Sequence, residues 1–293
     1  MDGAAARQEA EKILAELPDR ISDVIKPFAR QSPDHPALAQ GDVTWTYAEL
    51  AAVVADTAGI LNFYDIRPGD RVMIVSENSL ALVALILAAS EIDAWSVAVN
   101  PRLSAREVDL IREHSGARRV FYTIEVSDPA RRHAERHDAD IAVLRGLGTL
   151  GVGPLNRNTV PEPVEVDRSR QVAALVYTSG TTGNPKGVML THRNLLFSAR
   201  VVSAQREPTD KLYCVLPISH IVGYSAILIA SLMVGATVQL VPRFDPAGLV
   251  AAIANDGIAL MFGVPATYQR LLEYQTVADI DRLPRGKLSR LSV

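Results

Sequence analysis

Short apolar runs rich in β-branched residues alternate along the chain with segments whose apolar residues recur at helical spacing. The segment at 71–78 predicts a strand, and the segment at 79–92 predicts the helix that follows it. The same order recurs at 95–100 and 104–116, where Ser104 is expected to cap the helix. Further strands are predicted at 118–123, 140–145, 172–178, 212–216, 236–241, 258–263 and 288–293, and further helices at about 128–137 and 192–206.

This alternation predicts an α/β fold with largely parallel sheets. The predicted strands are more than one open, twisted sheet usually holds, so we expect two sheets layered with helices in an αβαβα arrangement. The strand VAALVYT at 172–178 has no charged residue, which is typical of a strand covered on both faces.

One connector, 146–170, is rich in glycine and proline. It begins with GLGTLG, which has the glycine spacing of dinucleotide-binding turns. Such a turn also needs a helix that opens at its third glycine, and here a Gly-Pro pair follows without helical periodicity. The connector is therefore predicted to be a mobile surface loop.

Composition narrows the classes of partner. Of the 293 residues, 48% are hydrophobic and 22% are charged, and the net charge is −3. This favours a globular core and argues against nucleic acid or an anionic membrane as partner. The apolar runs at 80–90 and 221–238 are short or broken by glycine, so we expect core helices and no membrane span. The single cysteine, Cys214, favours a cytoplasmic location and is predicted to be a buried strand residue.

His133 and His137 are four residues apart in a predicted helix, which is a spacing that metal ligands use. The surrounding sequence ARRHAERHDAD is densely charged. We therefore predict a solvated helix face at this place, and we assign no metal ligand in the chain.

The most specific segment follows the strand 172–178 and has the sequence SGTTGNPKG. Strands of α/β sheets deliver ligand-binding loops at their carboxyl ends. Glycines let successive N–H groups turn toward an anion, hydroxyls add donors, and Lys186 adds a positive charge. The Walker spacing is not met, because Asn184 and Pro185 follow Gly183. A surface loop rich in turn residues is the alternative, but it leaves the uncharged strand and the Pro-Lys-Gly exit without a reason. The segment therefore predicts a phosphate-binding loop.

The segment YTSGTTGNPKGVMLTHRNL closely resembles the signature loop of the adenylate-forming superfamily, which includes acyl-CoA synthetases, adenylation domains of peptide synthetases and beetle luciferases. Other segments agree with the family: TWTYAELAA, RPGDRVMIVSENS, VNPRLSAREV, FGVPATYQRLL, and LPISHIVGYS with its P-x-x-H-x-x-G pattern. The resemblance runs from about residue 20 to the last residue.

The resemblance implies activation of a carboxylic acid with ATP and Mg²⁺, followed by transfer to a thiol such as coenzyme A. It implies that Lys186 and His220 act at the catalytic centre, with His220 where the acyl pocket meets the adenylation centre. Ser219 stands where the family often has an aromatic residue. The residues that the motif places at the β- and γ-phosphates are Thr178, Ser179, Gly180, Thr181, Thr182, Gly183 and Lys186.

The resemblance also implies a partial N-terminal adenylation domain over 1–293, with one subdomain at about 65–205 and another formed by 1–64 and 206–293. The Tyr-Gly-x-Thr-Glu and Thr-Gly-Asp motifs of the family and its C-terminal domain are absent from the sequence. We therefore expect the chain alone to be inactive or severely impaired. We also expect its last strand, 288–293, to form a sheet edge through which copies can associate.

Three functions remain open at this point. A carboxylic acid–CoA ligase is favoured over a module that passes the acyl group to another acceptor, because NPRLSA looks CoA-ligase-like. A folded but non-catalytic fragment that binds phosphate or an acyl ligand is the third. Fatty and aromatic acids both remain open as substrates.

Overall fold

The computed structural model describes residues 3–167, 169–178 and 185–292. The helices are α1 (Gly3–Glu16), α2 (Lys26–Gln31), α3 (Tyr47–Phe63), α4 (Leu80–Glu91), α5 (Ala105–Ser115), α6 (Asp128–Arg136), α7 (His192–Ser203), α8 (Ala230–Leu232), α9 (Pro246–Asn255) and α10 (Pro265–Val277), with a 3-10 helix at Ile21–Ile25 and a π-helix at Val222–Ile229. The strands are β1 (Pro36–Gln40), β2 (Val43–Thr46), β3 (Arg71–Val75), β4 (Trp95–Val99), β5 (Arg119–Tyr122), β6 (Asp140–Leu144), β7 (Gly148–Val152), β8 (Val172–Thr178), β9 (Lys186–Thr191), β10 (Lys211–Cys214), β11 (Thr237–Leu240), β12 (Leu260–Phe262) and β13 (Arg290–Ser292).

The described strands form two sheets. The first has the order β13-β12-β10-β11-β1-β2 and is parallel except for β2 at its edge. The second has the order β6-β7-β5-β3-β4-β8-β9 and is parallel in its middle and antiparallel at both edges. The predicted α/β fold with two sheets is confirmed.

The chain enters the two sheets in separate parts. Every strand of the second sheet lies within 71–191, whereas those of the first lie within 36–46 and 211–292. The division into subdomains at about 65 and 205 stays a prediction.

Helix α4 joins the sheets. Its residues 80–90 are all buried, and it packs against β1 of the first sheet and against β3 and β4 of the second. The Ser79 hydroxyl caps it by accepting from the Leu82 amide at 3.2 Å. This burial on every side explains why the segment has no polar face. In the part of the chain that the structure describes, no helix is both long and apolar enough to cross a membrane.

The connector 146–170 is a loop only in part, so the prediction of a mobile surface loop was wrong over its first residues. Strand β7 pairs antiparallel with β6 and β5, and no helix opens at Gly151. A Cβ on Gly151 would lie 3.0 Å from the Ala134 Cβ. This glycine therefore permits close packing of α6 on the strand, which the sequence pattern did not distinguish from a loop signal.

His133 on α6 and His137, which follows the helix, are both buried, so the predicted solvated face was wrong. His133 Nε2 lies 3.0 Å from the Pro101 carbonyl oxygen. His137 Nδ1 lies 2.5 Å from the Tyr122 hydroxyl, and its Nε2 lies 2.7 Å from Asp109 Oδ1. These partners compensate burial of the rings. No group of His, Cys, Asp and Glu that could hold a metal occurs within the described ranges.

We expect the chain to lose stability as the pH falls, partly through His137. Burial lowers the pKa of this imidazole below its usual 6.5, although its hydrogen bond to Asp109 opposes the shift. A histidine with a lowered folded-state pKa stabilises the fold above pH 6.5 and loses that contribution as the pH falls through the folded pKa. The Arg136 guanidinium lowers the pKa of Asp109 to about 2 from 3.8, so its contribution is lost between these values.

The measurement is the free energy of urea unfolding from about pH 8 to about pH 4.5, for the wild type and His137→Gln. The wild type should lose stability below pH 6.5, and the variant should show a smaller slope there. Equal slopes would assign the acid sensitivity to other groups.

Candidate functional site

The predicted phosphate loop connects two adjacent antiparallel strands. Thr178 ends β8, Lys186 begins β9, and the two residues are paired directly across the hairpin. Both are exposed. The predicted residues Ser179, Gly180, Thr181, Thr182 and Gly183 lie outside the described residues. The structure therefore places the first and last of the predicted phosphate ligands side by side at one end of the second sheet.

Tyr177 supports this hairpin from one side, and sequence reasoning gave it no role. A Cβ on Gly187 would lie 3.0 Å from the Tyr177 ring, so the glycine of Pro-Lys-Gly lets β9 approach that ring. Burial raises the pKa of Tyr177 to about 12, and its hydroxyl lies 2.8 Å from His114 Nδ1 on α5. The neutral hydroxyl can therefore donate to this imidazole and tie the hairpin to α5.

Helix α7 follows the hairpin directly and begins with a capping box. The Thr191 hydroxyl accepts from the Asn194 amide at 3.1 Å, as expected for a cap. His192 is fully buried, and its Nδ1 accepts from the Ile21 amide at 3.2 Å. His192 therefore joins the start of α7 to the 3-10 helix at Ile21–Ile25.

His220 lies in the turn that follows β10. Its amide donates to the Pro217 carbonyl at 3.0 Å. A Cβ on Gly223 would lie 2.2 Å from the same carbonyl oxygen. The proline and the glycine of P-x-x-H-x-x-G therefore touch each other, and the motif folds into a closed turn that presents the exposed His220 ring.

A cavity of about 380 Å³ lies beside this turn, and its lining residues come from the regions of both sheets. Tyr177 and His220 both line it, so the structure brings the entrance to the phosphate loop and the predicted catalytic histidine to one space. Ser219 also lines it, at the position where the family often has an aromatic residue. The remaining walls are mainly apolar: Ala98, Val99, Asn100, Leu103, Ile111, Leu216, Pro217, Val222 and Val264. Such a lining suits the apolar part of a small ligand.

The charges at the hairpin fit a polyphosphate. Among the described residues, no carboxylate forms an ion pair with Lys186, and the Thr178 hydroxyl is on the neighbouring strand. A free lysine beside hydroxyl donors is a common arrangement for phosphate binding.

Cys214 is fully buried on β10 as predicted, and burial raises the pKa of its thiol to about 12.

Known proteins resemble this chain in sequence and in fold. The sequence profile of the "AMP-binding enzyme" family matches residues 25–292. The chain is 34% identical over 250 residues to a feruloyl-CoA synthase of Amycolatopsis sp, covering 83% of this chain and 48% of that protein. It is 29% identical over 246 residues to long-chain-fatty-acid–CoA ligase FadD13 of Mycobacterium tuberculosis, covering 82% and 48%. The chain thus spans about half the length of these relatives.

A solved structure leads to the same family. The N-terminal domain of FACL13 from Mycobacterium tuberculosis matches with a TM-score of 0.76 at 26% identity, over 93% of this chain and 69% of that one. These findings confirm the resemblance on which the sequence analysis relied. The chain belongs to the AMP-binding, adenylate-forming enzyme family, and it resembles part of the N-terminal domain of acyl-CoA ligases in that family.

Proposed function

We propose that this chain is the N-terminal part of an ATP-dependent carboxylic acid–CoA ligase. The observation that carries the proposal is the meeting of the phosphate-loop hairpin and His220 at one apolar cavity. Feruloyl-CoA synthase and FadD13 are named for aromatic and fatty acids, and both classes remain candidates for this cavity.

In the first step, a carboxylate oxygen forms a bond to the α-phosphorus of ATP. The bond from that phosphorus to the bridging oxygen of the β-phosphate breaks, and pyrophosphate leaves with the electron pair. Lys186 and Thr178, which are paired across the hairpin, would stabilise the charge that builds on the pyrophosphate, because an ammonium and a hydroxyl beside a leaving phosphate favour its departure. A bound Mg²⁺ ion would neutralise part of the phosphate charge, and we assign it no ligand in this chain.

The apolar part of the acid would occupy the cavity of about 380 Å³. Its carboxylate would lie beside Tyr177 and His220, the two residues of the lining that belong to the phosphate-loop hairpin and to the P-x-x-H-x-x-G turn. In the second step, a thiol loses its proton to solvent and its sulfur forms a bond to the acyl carbon. The bond from that carbon to the phosphate oxygen breaks, and AMP leaves with the electron pair. We propose coenzyme A as the thiol.

Pyrophosphate exchange into ATP with a panel of fatty and aromatic acids tests this function. The chain should be assayed alone and after addition of the C-terminal half of the feruloyl-CoA synthase, because it spans about half of that relative. We expect little or no exchange by the chain alone and acid-dependent exchange after complementation. Robust turnover by the chain alone would contradict the predicted impairment, and a complemented enzyme that ignores every acid would contradict the ligase.

The same assay separates the alternatives. A module for another acceptor would form acyl-AMP without forming a thioester when coenzyme A is added. A non-catalytic fragment would bind phosphate or acid without exchange. The expected self-association through β13, which is the end strand of the first sheet as described, is tested by the mass of the chain in solution, and a strict monomer would contradict it. The cytoplasmic location also stays a prediction.

A further inference from the structure

The side chain of Asn78 connects the two sheets by hydrogen bonds. Asn78 lies in the loop between β3, which is a strand of the second sheet, and helix α4. Its side chain reaches the end of β10, which is a strand of the first sheet. Its amide nitrogen donates to the carbonyls of Cys214 and Leu216, both at 3.0 Å. Its amide oxygen accepts from the Ile218 amide at 2.9 Å. The side chain is 4% exposed, so these three bonds satisfy both of its polar atoms away from water.

The segment held by Asn78 leads directly to His220. Ile218 is two residues before His220, and the intervening turn is closed by the hydrogen bond from the His220 amide to the Pro217 carbonyl. Two more residues of this segment, Leu216 and Pro217, line the cavity of the proposed acid site. A shift of the segment would therefore move both the histidine and one wall of the cavity.

A second contact anchors the other side of the same turn. The Tyr224 hydroxyl lies 2.9 Å from the Ser96 Oγ on β4, and Ser96 in turn donates to the Ala173 carbonyl at 3.2 Å. Tyr224 and Ser96 are both buried. Residues 214–224 are thus attached to the second sheet before and after His220, while the second sheet also holds Thr178 and Lys186.

We propose that Asn78 is a positioning residue that fixes His220 and the adjoining cavity wall relative to the phosphate loop. Its amide takes the place of a neighbouring strand for Leu216 and Ile218, which follow the end of β10. Without it, the buried Ile218 amide would lose its partner and the Leu216 carbonyl would keep only the Cys214 thiol at 3.7 Å. The Cys214 carbonyl would keep its hydrogen bond from the Val241 amide at 3.1 Å, so the part of the segment beyond Cys214 would move. The effect of Asn78 on acid binding rests on the proposed acid site, whereas its effect on the His220 ring does not.

If Asn78 only stabilised the fold, its replacement would lower the unfolding temperature without changing the surroundings of His220. The variants Asn78→Asp and Asn78→Leu remove both donated bonds, and Tyr224→Phe loosens the second anchor with a smaller change. Ser90→Ala on α4 is the matched control, because it also removes buried hydrogen bonds: Ser90 donates to the Ser22 hydroxyl at 3.1 Å and accepts from the Ser22 amide at 3.3 Å. Each protein is examined as the 293-residue chain.

The first readout is the pair of ring ¹⁵N chemical shifts of His220, assigned with His220→Gln, together with hydrogen exchange of the Ile218 amide. We expect the shifts to change and exchange to accelerate in both Asn78 variants, with a smaller change of the shifts in Tyr224→Phe. Ser90→Ala should leave both unchanged at a comparable loss of thermal stability. Unchanged His220 shifts in Tyr224→Phe and in every folded Asn78 variant would overturn the proposal.

The second readout is the affinity of the chain for decanoate and for 4-coumarate, measured by calorimetry. If the wild type binds either acid, the Asn78 variants should bind it about fivefold more weakly or worse, and Ser90→Ala should bind it normally. Equal affinity in the Asn78 variants would contradict the effect on the cavity wall. A wild type that binds neither acid would count against the proposed acid site, and the ring shifts would still decide the role of Asn78.

Discussion

We expect Lys186→Ala to slow adenylate formation by about 10²–10³-fold, as removal of one oriented group at a developing charge does in other enzymes. Lys186 begins β9 directly opposite Thr178, and among the described residues no carboxylate shares its charge. Its ammonium should therefore matter most while the pyrophosphate leaves. Its exposure means that the substitution creates no cavity, so stability should change little.

Single-turnover kinetics of the complemented enzyme measure both half-reactions. Lys186→Ala should slow the first step far more than thiol transfer. Lys186→Arg keeps the charge and should recover part of the rate, although its planar fork cannot reproduce the ammonium geometry. Lys211→Ala, which removes a lysine at the start of β10, is the control and should leave both steps unchanged. Equal slowing of both steps by Lys186→Ala would show that the lysine acts through folding or domain movement.

Local patterns predicted the elements that frame the site. The strand 172–178 was predicted with the bounds that β8 has, because a run of apolar residues without charge ends at a sharp change of composition. Ser104 caps α5 by accepting from the Glu107 amide at 3.3 Å, since this cap depends only on residues within one helical turn. Such features are encoded in adjacent residues, and sequence is sufficient for them.

Contacts between distant residues were not predictable in this way. Strand β9 was not predicted, because it has both polar and apolar positions. Its strand geometry comes from its pairing with β8. His137 was placed on a solvated face because nothing near it in sequence reveals Tyr122 and Asp109 as its partners. The role of Asn78 depends on Cys214, Leu216 and Ile218, which lie 136, 138 and 140 positions further along the chain. Strand pairing within the second sheet, the packing of helices on it and, for Asn78, the contact between the two sheets bring these groups together.

We expect Gly223→Ala to damage both the fold and the site. The new Cβ would lie 2.2 Å from the Pro217 carbonyl oxygen and 3.0 Å from the Ile218 Cα, and both are backbone atoms that cannot turn aside as a side chain does. The turn and the π-helix must separate to relieve this overlap. Overpacking of a closely packed place costs about 1–3 kcal/mol of stability. The same separation moves His220, which lies between the two contacting residues.

Gly59→Ala is the matched control for this substitution. Gly59 lies on the exposed side of α3, and a Cβ there would have no atom within 4 Å. Alanine in the interior of a helix is more favourable than glycine by roughly 0.5–1 kcal/mol, since it restricts the unfolded chain. The two changes add the same methyl group, so urea unfolding should show a loss of stability for Gly223→Ala and a gain for Gly59→Ala. Adenylate formation by the complemented enzyme should fall only in Gly223→Ala. If Gly223→Ala were as stable and active as the wild type, the closed turn of the P-x-x-H-x-x-G segment could not be what holds His220 at the cavity.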